Sequence, residues 1–353
     1  MDTKGIRVGW IESLKLLAAL LVFTTHFVAE FKGEWLAYWG EGRILYGLSG
    51  KLAVSFFFLM AGFFAMKADK DNTWKYITKR YIRFAVPVFL IEIIMFFLLF
   101  CLKRIGVGTW LSASATEKYV RLYGINLKMI IYDTFLLDCR AVVTYWCNGM
   151  LFLGPVVVML LHGFCDEVKT GSGIHAKLKI GIIFGLLAII TVVAGNVWYT
   201  TCIIGAFLYL VVHNQRIILE KWKGGLVKVG LLLVSCICIR TPETEKGYLC
   251  KAVAVALLFL IVFYSKWMQV ILEKRFFSSI SKYSFEIYLL HMPVNWIIIT
   301  MLYSLLENKM NSTMMIIFLY FISLGLTILF SIKLKEVSDQ IVKKIYAGIE
   351  HIK

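Results

Sequence analysis

Long apolar stretches recur along this 353-residue chain, each close to the length that crosses a lipid bilayer. A membrane-spanning helix needs about 20 consecutive, mostly apolar residues. Such stretches begin near residues 11, 45, 85, 147, 179, 197, 225, 251, 284 and 313. Because 60% of the residues are hydrophobic and only 17% are charged, one soluble core of this length cannot bury them. The sequence therefore predicts an all-α, polytopic membrane helical bundle of about ten transmembrane helices.

The positive charge of the chain is divided unevenly between the two predicted sides of the membrane. The formal net charge is +16. With the N-terminus placed inside, about 24 of the 38 lysines and arginines lie in inner segments and about 12 lie in outer ones. Cytoplasmic loops of membrane proteins carry such an excess. We therefore expect two cytoplasmic termini, a multi-pass location in the cell (plasma) membrane, the lipid bilayer as a partner and no nucleic-acid partner.

The two ends of the chain and one outer loop carry further predicted structure. The first apolar stretch, from Ile11 to about Phe31, is too long for a signal peptide and predicts a retained helix. Residues 1–332 are predicted to form the membrane domain, and residues 333–353 a basic amphipathic cytoplasmic tail. In the outer loop, the segment from Asn126 to Leu137 predicts a short interfacial or re-entrant helix. The eight cysteines lack metal-ligand spacing, so no metal site is expected.

Three ionisable side chains lie within the first predicted helix, where a charge is costly and indicates function. Glu12 and Lys15 are three residues apart and can pair, although Lys15 can also extend to the inner surface. His26 follows Lys15 by 11 residues, which is three helical turns and about 16 Å of rise, so the two share a helix face. His26 is either a buried hydrogen-bonding residue or a catalytic one.

Two arginines come just before the third apolar stretch. Arg80 and Arg83 are three residues apart, so both guanidinium groups can face one anion such as a phosphate. The alternative is ordinary positive-inside flanking of a transmembrane helix. Glu92 lies within the same stretch and is expected to face the interior of the bundle, with Lys51 as one suggested partner.

A polar stripe runs along the ninth apolar stretch. Ser284, Tyr288 and His291 are spaced by four and three residues and therefore share one helix face. Such a stripe lines a cavity or forms helix–helix hydrogen bonds. In the second stretch, Gly62 interrupts an aromatic run, and a glycine in this position allows two helices to approach closely.

Together these segments resemble the acyltransferase 3 family of integral-membrane O-acyltransferases. Lys15 and His26 correspond to an Arg-x10-His motif in the first helix of the family, with lysine in place of arginine. Arg80 and Arg83 match its Arg-x-x-Arg motif in full. Further similar segments are Phe57 to Phe63, with Ala61 in place of Ser, then Tyr145-Trp146 at the fourth helix, and late in the chain Ser284, Tyr288, Leu289 and His291, where Phe285 replaces a tyrosine.

The resemblance implies transfer of an acyl group, commonly acetyl, from acyl-CoA to a sugar hydroxyl of a surface polysaccharide or glycolipid, by a stand-alone member of the family. Acyl-CoA is then a donor substrate, and no permanently bound cofactor is expected. Arg80, Arg83 and Lys15 are expected to hold the CoA phosphates, and His26 to act as general base or to be acylated transiently. The residues expected to line the cavity are Glu12, Glu92, Trp146, Ser284, Tyr288 and His291.

A membrane transporter is the alternative function. Glu12, Lys15, His26 and Glu92 can form a relay for protons or for a small solute such as an amino acid or a sugar. The sequence has no evident inverted repeat and no matching pair of interrupted helices, which disfavours this alternative. A third alternative is a membrane protein that makes lipid or polymer intermediates without acyl-CoA.

Overall fold

A computed structural model gives the fold of the chain over most of its apolar stretches. It describes residues 9–30, 50–66, 73–106, 126–136, 146–167, 181–182, 185–186, 189, 197–213, 225–241, 244–306, 309 and 311–351. In these residues the regular elements are α-helices. They are α1 (Gly9–Ala29), α2 (Gly50–Ala65), α3 (Thr73–Arg104), α4 (Leu127–Thr134), α5 (Trp146–Glu167), α6 (Val197–His213), α7 (Gly225–Ile239), α8 (Glu245–Phe263), α9 (Lys266–Leu272), α10 (Arg275–Ser281), α11 (Ser284–Leu306) and α12 (Ser312–His351).

The helices agree with the all-α prediction, and each predicted apolar stretch except one overlaps a helix. The exception begins near residue 179 and lies largely outside the described residues. Five helices, namely α1, α3, α8, α11 and α12, are long and apolar enough to cross a membrane. The structure is therefore consistent with a helical membrane bundle. The short helices α9 and α10 were not expected from the apolar pattern.

The described chain divides into two compact units. The first contains Met1–Val22, Lys32–Ile77 and Met150–Ser281. The second contains Phe23–Phe31, Thr78–Gly149 and Lys282–Lys353. The first unit is therefore built from the start of α1, α2, most of α5 and α6 to α10, and the second from the end of α1, most of α3, α4, α11 and α12.

In the first unit, α2 and α6 run parallel and touch backbone to backbone. A Cβ atom on Gly62 would overlap the carbonyl oxygen of Cys202, and one on Gly205 would overlap the carbonyl oxygen of Leu59. Small residues permit this approach between membrane helices, where lipid supplies no hydrophobic drive for association. The predicted role of Gly62 in close helix approach is thus confirmed. Helix α8 packs along both partners, and Phe63 and Phe259 meet with ring centroids 5.4 Å apart.

Helices α7 and α8 form an antiparallel hairpin in the same unit. The Thr244 side chain caps α8 by accepting a hydrogen bond from the Gly247 backbone N–H at 3.2 Å. Such a cap satisfies one of the backbone donors that a helix start leaves without an intrahelical partner. At the other end of the hairpin, the Lys228 ammonium donates to the carbonyl oxygen of Tyr264 at 3.0 Å.

In the second unit, α11 and α12 pack against each other. Helix α12 is a single helix of 40 residues that continues through residues 332 and 333, where the cytoplasmic tail was predicted to begin. The division into a membrane domain and a tail stays a prediction. The end of α1 joins this unit, since Thr24 and Tyr320 share a hydrogen bond of 2.9 Å.

Helix α4 matches the short helix predicted for the outer loop. Asn126 caps it by accepting a hydrogen bond from the backbone N–H of Met129. Its residue Asp133 is buried and is the ionisable neighbour of Glu92 on α3. Glu92 precedes the end of α3 at Arg104 by 12 residues, about 18 Å of rise. Helix α4 therefore approaches the middle of α3, well before the end of that helix, and the interfacial and re-entrant alternatives both stay predictions.

The glycine contact of α2 and α6 gives a stability prediction. We expect Gly62→Ala to lower the free energy of unfolding by about 1–3 kcal/mol or more, because the added methyl group meets a backbone carbonyl that has nowhere to move. Gly230→Ala on α7 is the matched control, since a Cβ there has no neighbour within 4 Å, and alanine favours helix by about 1 kcal/mol. Thermal unfolding in detergent measures both. Equal melting temperatures for the two variants would contradict the close contact.

Candidate functional site

Two histidines face each other inside the second unit. His26 lies near the end of α1 and His291 lies in the second turn of α11, and their ring centroids are 5.2 Å apart. The His291 side chain has no solvent exposure. The sequence pattern put each residue in a motif of its own, and the structure brings the two rings together.

The backbone of α11 determines which nitrogen of His291 carries the proton. The Nδ1 atom of His291 lies within hydrogen-bond distance of the carbonyl oxygen of Tyr288, one turn earlier. A carbonyl oxygen only accepts, so in the neutral ring the proton is on Nδ1 and the lone pair is on Nε2. In the described residues Nε2 is buried and makes no hydrogen bond. A buried imidazole lone pair next to a second imidazole is a suitable arrangement for proton transfer.

Aromatic side chains and hydrogen bonds hold the end of α1 in this position. Tyr320 on α12 packs edge-on against Phe23 and Phe27, with ring centroids 5.4 and 5.2 Å away. One turn beyond His26, the Trp296 indole N–H donates to the carboxylate of Glu30 at 3.3 Å. These contacts hold the end of α1, on which His26 lies.

The two arginines of the Arg-x-x-Arg motif, Arg80 and Arg83, are the eighth and eleventh residues of α3. Arg83 is exposed and Arg80 is half-buried. The guanidinium carbon of Arg80 lies 5.2 Å from the ring centroid of Phe84, and this ring contacts Phe285 at 4.9 Å. The Arg80 side chain is thereby held against the first turn of α11, while Arg83 extends to the surface.

The arginine motif and the histidine pair are connected through α11. Phe285, which contacts Phe84, and His291, which contacts His26, are six residues apart on this helix. Six residues correspond to about 9 Å of rise. A long, extended substrate can therefore contact both groups within one unit.

The C-terminal half of α12 packs beside the arginine motif, which the sequence did not predict. The Tyr346 hydroxyl donates to the carbonyl oxygen of Lys79 at 2.7 Å, and the Lys79 ammonium lies 5.3 Å from the Tyr346 ring centroid. The guanidinium of Arg83 is near enough to the Tyr346 phenol for an electrostatic interaction. Tyr346 was part of the predicted amphipathic tail, but no spacing in the sequence linked it to Arg83.

A buried ion pair ties the same helix to the start of α11. The Lys335 ammonium contacts a carboxylate oxygen of Glu286 at 3.4 Å and one of Asp339 at the same distance. Glu286 is buried, whereas Asp339 is exposed. Glu286 directly follows Phe285 on α11, so this pair fixes the end of α11 that lies beside the arginines.

The polar stripe of α11 lies inside the second unit. Ser284, Tyr288 and His291 are all buried, and the rings of Tyr288 and His291 have centroids 5.7 Å apart. Trp146 begins α5, as the resemblance implies for the fourth membrane helix. Its side chain lies outside the described residues.

Glu92 is fully buried and lies beside another acid. Its ionisable neighbour is Asp133 on α4, not the suggested Lys51, and the structure places Lys51 in the other unit. Sequence reasoning missed Asp133 because α4 begins 23 residues after the end of α3 and approaches it only through the tertiary fold.

The remaining predicted residues, Glu12 and Lys15, lie in the first unit. Their pairing is confirmed, because the Lys15 ammonium donates to a carboxylate oxygen of Glu12 at 2.9 Å. The ammonium also lies 4.7 Å from the ring centroid of Phe64 on α2. Lys15 and His26 share helix α1, but Lys15 belongs to the first unit and His26 to the second.

A cavity of about 200 Å³ in the first unit contains none of the predicted site residues. It lies among α1, α2 and α8 and is lined by apolar side chains that include Leu14, Leu52 and Phe259. A cavity without polar groups cannot position a hydroxyl or a thioester, so it is not the candidate site.

The Lys335–Glu286 pair gives a second stability prediction. We expect Lys335→Met to lower the free energy of unfolding by about 3 kcal/mol, because it leaves the buried Glu286 carboxyl without its cation. Adding Glu286→Gln to that variant should recover much of the loss. Lys333→Met is the matched control, since its pair with Glu336 is exposed and is worth at most about 1 kcal/mol. Similar melting temperatures for both lysine variants would show that the pair does not hold the helices together.

Comparison with known proteins gives one match. A family model described as an acyltransferase domain, Acyl_transf_3, matches residues 8–332, which is nearly the whole chain. No curated protein and no solved structure matches the chain significantly. The matched range contains both histidines and both arginines of the candidate site.

Proposed function

The chain belongs to the acyltransferase 3 family and is a membrane acyltransferase, and on this basis we propose that it moves an acyl group, commonly acetyl, from acyl-CoA to a sugar hydroxyl. The observation that carries the proposal is the contact of His26 with His291 in the unit that also contains Arg80 and Arg83. Family membership does not favour the transporter alternative.

In the proposed reaction His26 is the general base. It takes the proton of the acceptor hydroxyl as the oxygen attacks the thioester carbonyl carbon. The new C–O bond forms, the C–S bond breaks, and CoA leaves as a thiolate that takes up a proton. The neighbouring His291 supports this role, because its Nδ1 atom contacts the Tyr288 carbonyl oxygen, its buried Nε2 atom makes no described hydrogen bond, and its ring lies beside that of His26. In a two-step variant of the reaction, His26 itself carries the acyl group transiently.

The proposed donor site lies at the arginine motif. The CoA nucleotide carries several phosphate charges, for which the guanidinium fork is the suitable protein group. Arg83 is exposed for binding, and Arg80 is held on Phe84 beside the start of α11. The pantetheine arm would follow α11 toward His291, which is about 9 Å further along the helix axis. Lys15 is proposed to assist at the phosphates only when it is released from Glu12.

The proposed topology has ten spans with both termini in the cytoplasm, in the plasma membrane, and the orientation of two helices supports its span count. Helices α2 and α6 run parallel, as shown by the matched contacts of Lys51 with Trp198 and of Phe63 with Tyr209. Parallel helices require an odd number of crossings between them. Helices α3 and α5 supply two, so the apolar stretch near residue 179 is proposed to be the third.

The acceptor is proposed to be a surface polysaccharide or a glycolipid. A glycan hydroxyl must reach His26, which is half-buried within a helical unit. This requirement suits a saccharide chain end or a lipid-linked sugar, which can enter the bundle from the membrane surface. The first test is incubation of membranes with labelled acetyl-CoA, followed by a search for label in glycan and glycolipid fractions.

The catalytic assignment predicts the behaviour of His26→Ala. We expect the purified variant to transfer acyl groups at least about 100-fold more slowly, because a general base contributes roughly that factor, while its affinity for acyl-CoA stays unchanged. Single-turnover rates measure the first quantity and calorimetry the second. Acid quenching of wild-type protein with labelled donor tests for acyl-His26. Transfer by His26→Ala at the wild-type rate would remove this residue from the mechanism.

The donor-site assignment predicts the behaviour of the arginine variants. We expect Arg80→Ala and Arg83→Ala each to weaken acyl-CoA binding about tenfold, which is the effect of losing one charge-assisted contact. Arg83→Lys should lie between, since it keeps the charge and loses the fork. Arg275→Ala, an exposed arginine on α10, is the matched control. If calorimetry gives the same dissociation constant for all four variants, the two arginines serve topology alone.

A further inference from the structure

One face of α3 presents two cations to α12. Lys79 and Arg83 are four residues apart and therefore share a helix face. The Lys79 ammonium lies 5.3 Å from the ring centroid of Tyr346 on α12, and the Arg83 guanidinium interacts electrostatically with the phenol of the same residue. All three residues belong to the second unit. We call Lys79, Arg83 and Tyr346 the α12-side cluster.

Arg80, the other arginine of the motif, has different neighbours. Its guanidinium carbon lies 5.2 Å from the ring centroid of Phe84, and this ring contacts Phe285 on α11. The spacing of the two arginines predicted that both could face one anion. In the structure Arg80 packs toward α11 and Arg83 lies beside α12, which indicates two places for negative charge at this end of α3.

The Tyr346 side chain holds the α12-side cluster together. Its hydroxyl donates to the carbonyl oxygen of Lys79 at 2.7 Å, so the tyrosine is anchored to the backbone of the residue whose ammonium lies beside its ring. A cation near an aromatic face is attracted by the ring quadrupole, and its N–H groups can still donate to oxygen atoms. The ring of Tyr346 therefore orients the Lys79 ammonium without neutralising its charge.

The α12-side cluster is accessible to an anion. Arg83 is exposed, and Lys79 and Tyr346 are half-buried. Two acids of the same half of α12 pair with lysines of their own helix. In the part of the chain that the structure describes, no ion pair includes Lys79 or Arg83. Two neighbouring cations without a paired acid suit a ligand group that carries two negative charges.

The CoA nucleotide offers one group of this kind. Each phosphate of its diphosphate bridge carries one negative charge, whereas the phosphomonoester on its ribose 3′ oxygen carries about −1.5 to −2 at pH 7. We propose that Lys79 and Arg83 bind this 3′-phosphate and that Tyr346 is their positioning residue. In this arrangement Arg80 contacts the diphosphate, from which the pantetheine arm extends along α11. The inference rests on the proposed function, to which it adds the donor specificity.

The test compares CoA with 3′-dephospho-CoA, which lacks only the phosphomonoester. Calorimetry with purified full-length protein in neutral detergent gives both dissociation constants. We expect CoA to bind at least about tenfold more tightly, which is the effect of one charge-assisted contact. In transfer assays the same difference between acetyl-CoA and acetyl-dephospho-CoA should appear in KM, with equal kcat. Glycerol 3-phosphate, the phosphomonoester of a lipid headgroup, is included as a competitor.

Substitutions of the cations assign the preference to one face of α3. Lys79→Met and Arg83→Ala should each lose most of the preference for CoA, because each removes one of the two cations. Arg80→Ala should weaken the binding of both nucleotides by the same factor and keep the preference. Lys344→Met is the matched control, because Lys344 is exposed on α12 and lies two residues from Tyr346, on another face of the helix.

Two substitutions of Tyr346 separate positioning from a structural role. Tyr346→Leu should lose the preference for CoA while kcat stays unchanged, whereas Tyr346→Phe keeps the ring beside Lys79 and should keep more of the preference. If Tyr346→Leu weakens both nucleotides equally or lowers kcat for both donors, its role is structural and the positioning assignment is overturned. Melting temperatures identify a variant that fails to fold, and in that event Lys79→Met and Arg83→Ala decide the result.

Each remaining outcome has a defined meaning. Equal binding of CoA and 3′-dephospho-CoA to the unmodified protein overturns the inference, and so does a preference that Arg80→Ala alone abolishes. Displacement of CoA by an equal concentration of glycerol 3-phosphate also overturns it, because the cluster would then recognise a lipid headgroup. If acetyl-CoA and acetyl-dephospho-CoA are used with the same KM, the proposed function stands and the 3′-phosphate site is wrong. If CoA binds with the expected preference but no acyl transfer occurs, the site stands and the proposed function fails.

Discussion

The backbone contact of α2 with α6 is the constraint on which the first unit depends. In a bilayer, helices do not associate to escape water, because lipid is as apolar as their own side chains. Association then requires close packing, and the two glycines provide it by leaving room for the carbonyl oxygens of Leu59 and Cys202. This contact determines that the two helices run in the same direction. It also determines that their N-terminal ends, with Lys51 and Trp198, meet at one surface.

The second unit depends on a different principle, the pairing of polar groups inside an apolar bundle. Glu286 has Lys335, Trp296 has Glu30, and the Nδ1 proton of His291 has a backbone carbonyl. These contacts satisfy groups whose burial alone would cost several kcal/mol each. The Nε2 atom of His291 is one of several buried polar atoms that the described hydrogen bonds leave without a partner. The neighbouring pairs hold the helix that carries it in place.

Local patterns predicted the helices because the length of an apolar stretch is a property of neighbouring positions. The same holds for the Glu12–Lys15 pair and for Gly62, whose effects depend on spacing within one helix. Spacing also singled out the histidines and the arginines, and the resemblance to a family gave them expected roles. Neither source predicted that Tyr346 would lie beside Arg83, or Asp133 beside Glu92. These contacts join residues far apart in the chain, and they arise only when whole helices pack.

The shared direction of α2 and α6 restricts how a chain of this kind can change over evolutionary time. Residues 66–196 can gain or lose crossings of the bilayer only in pairs, because a single added or deleted crossing would reverse α6 and separate the glycines. A segment that enters and leaves the membrane on one side is exempt and can vary freely in length. Insertions in related chains are therefore expected as helical hairpins or as re-entrant segments. A related chain that keeps both glycines is expected to keep an odd number of crossings between α2 and α6.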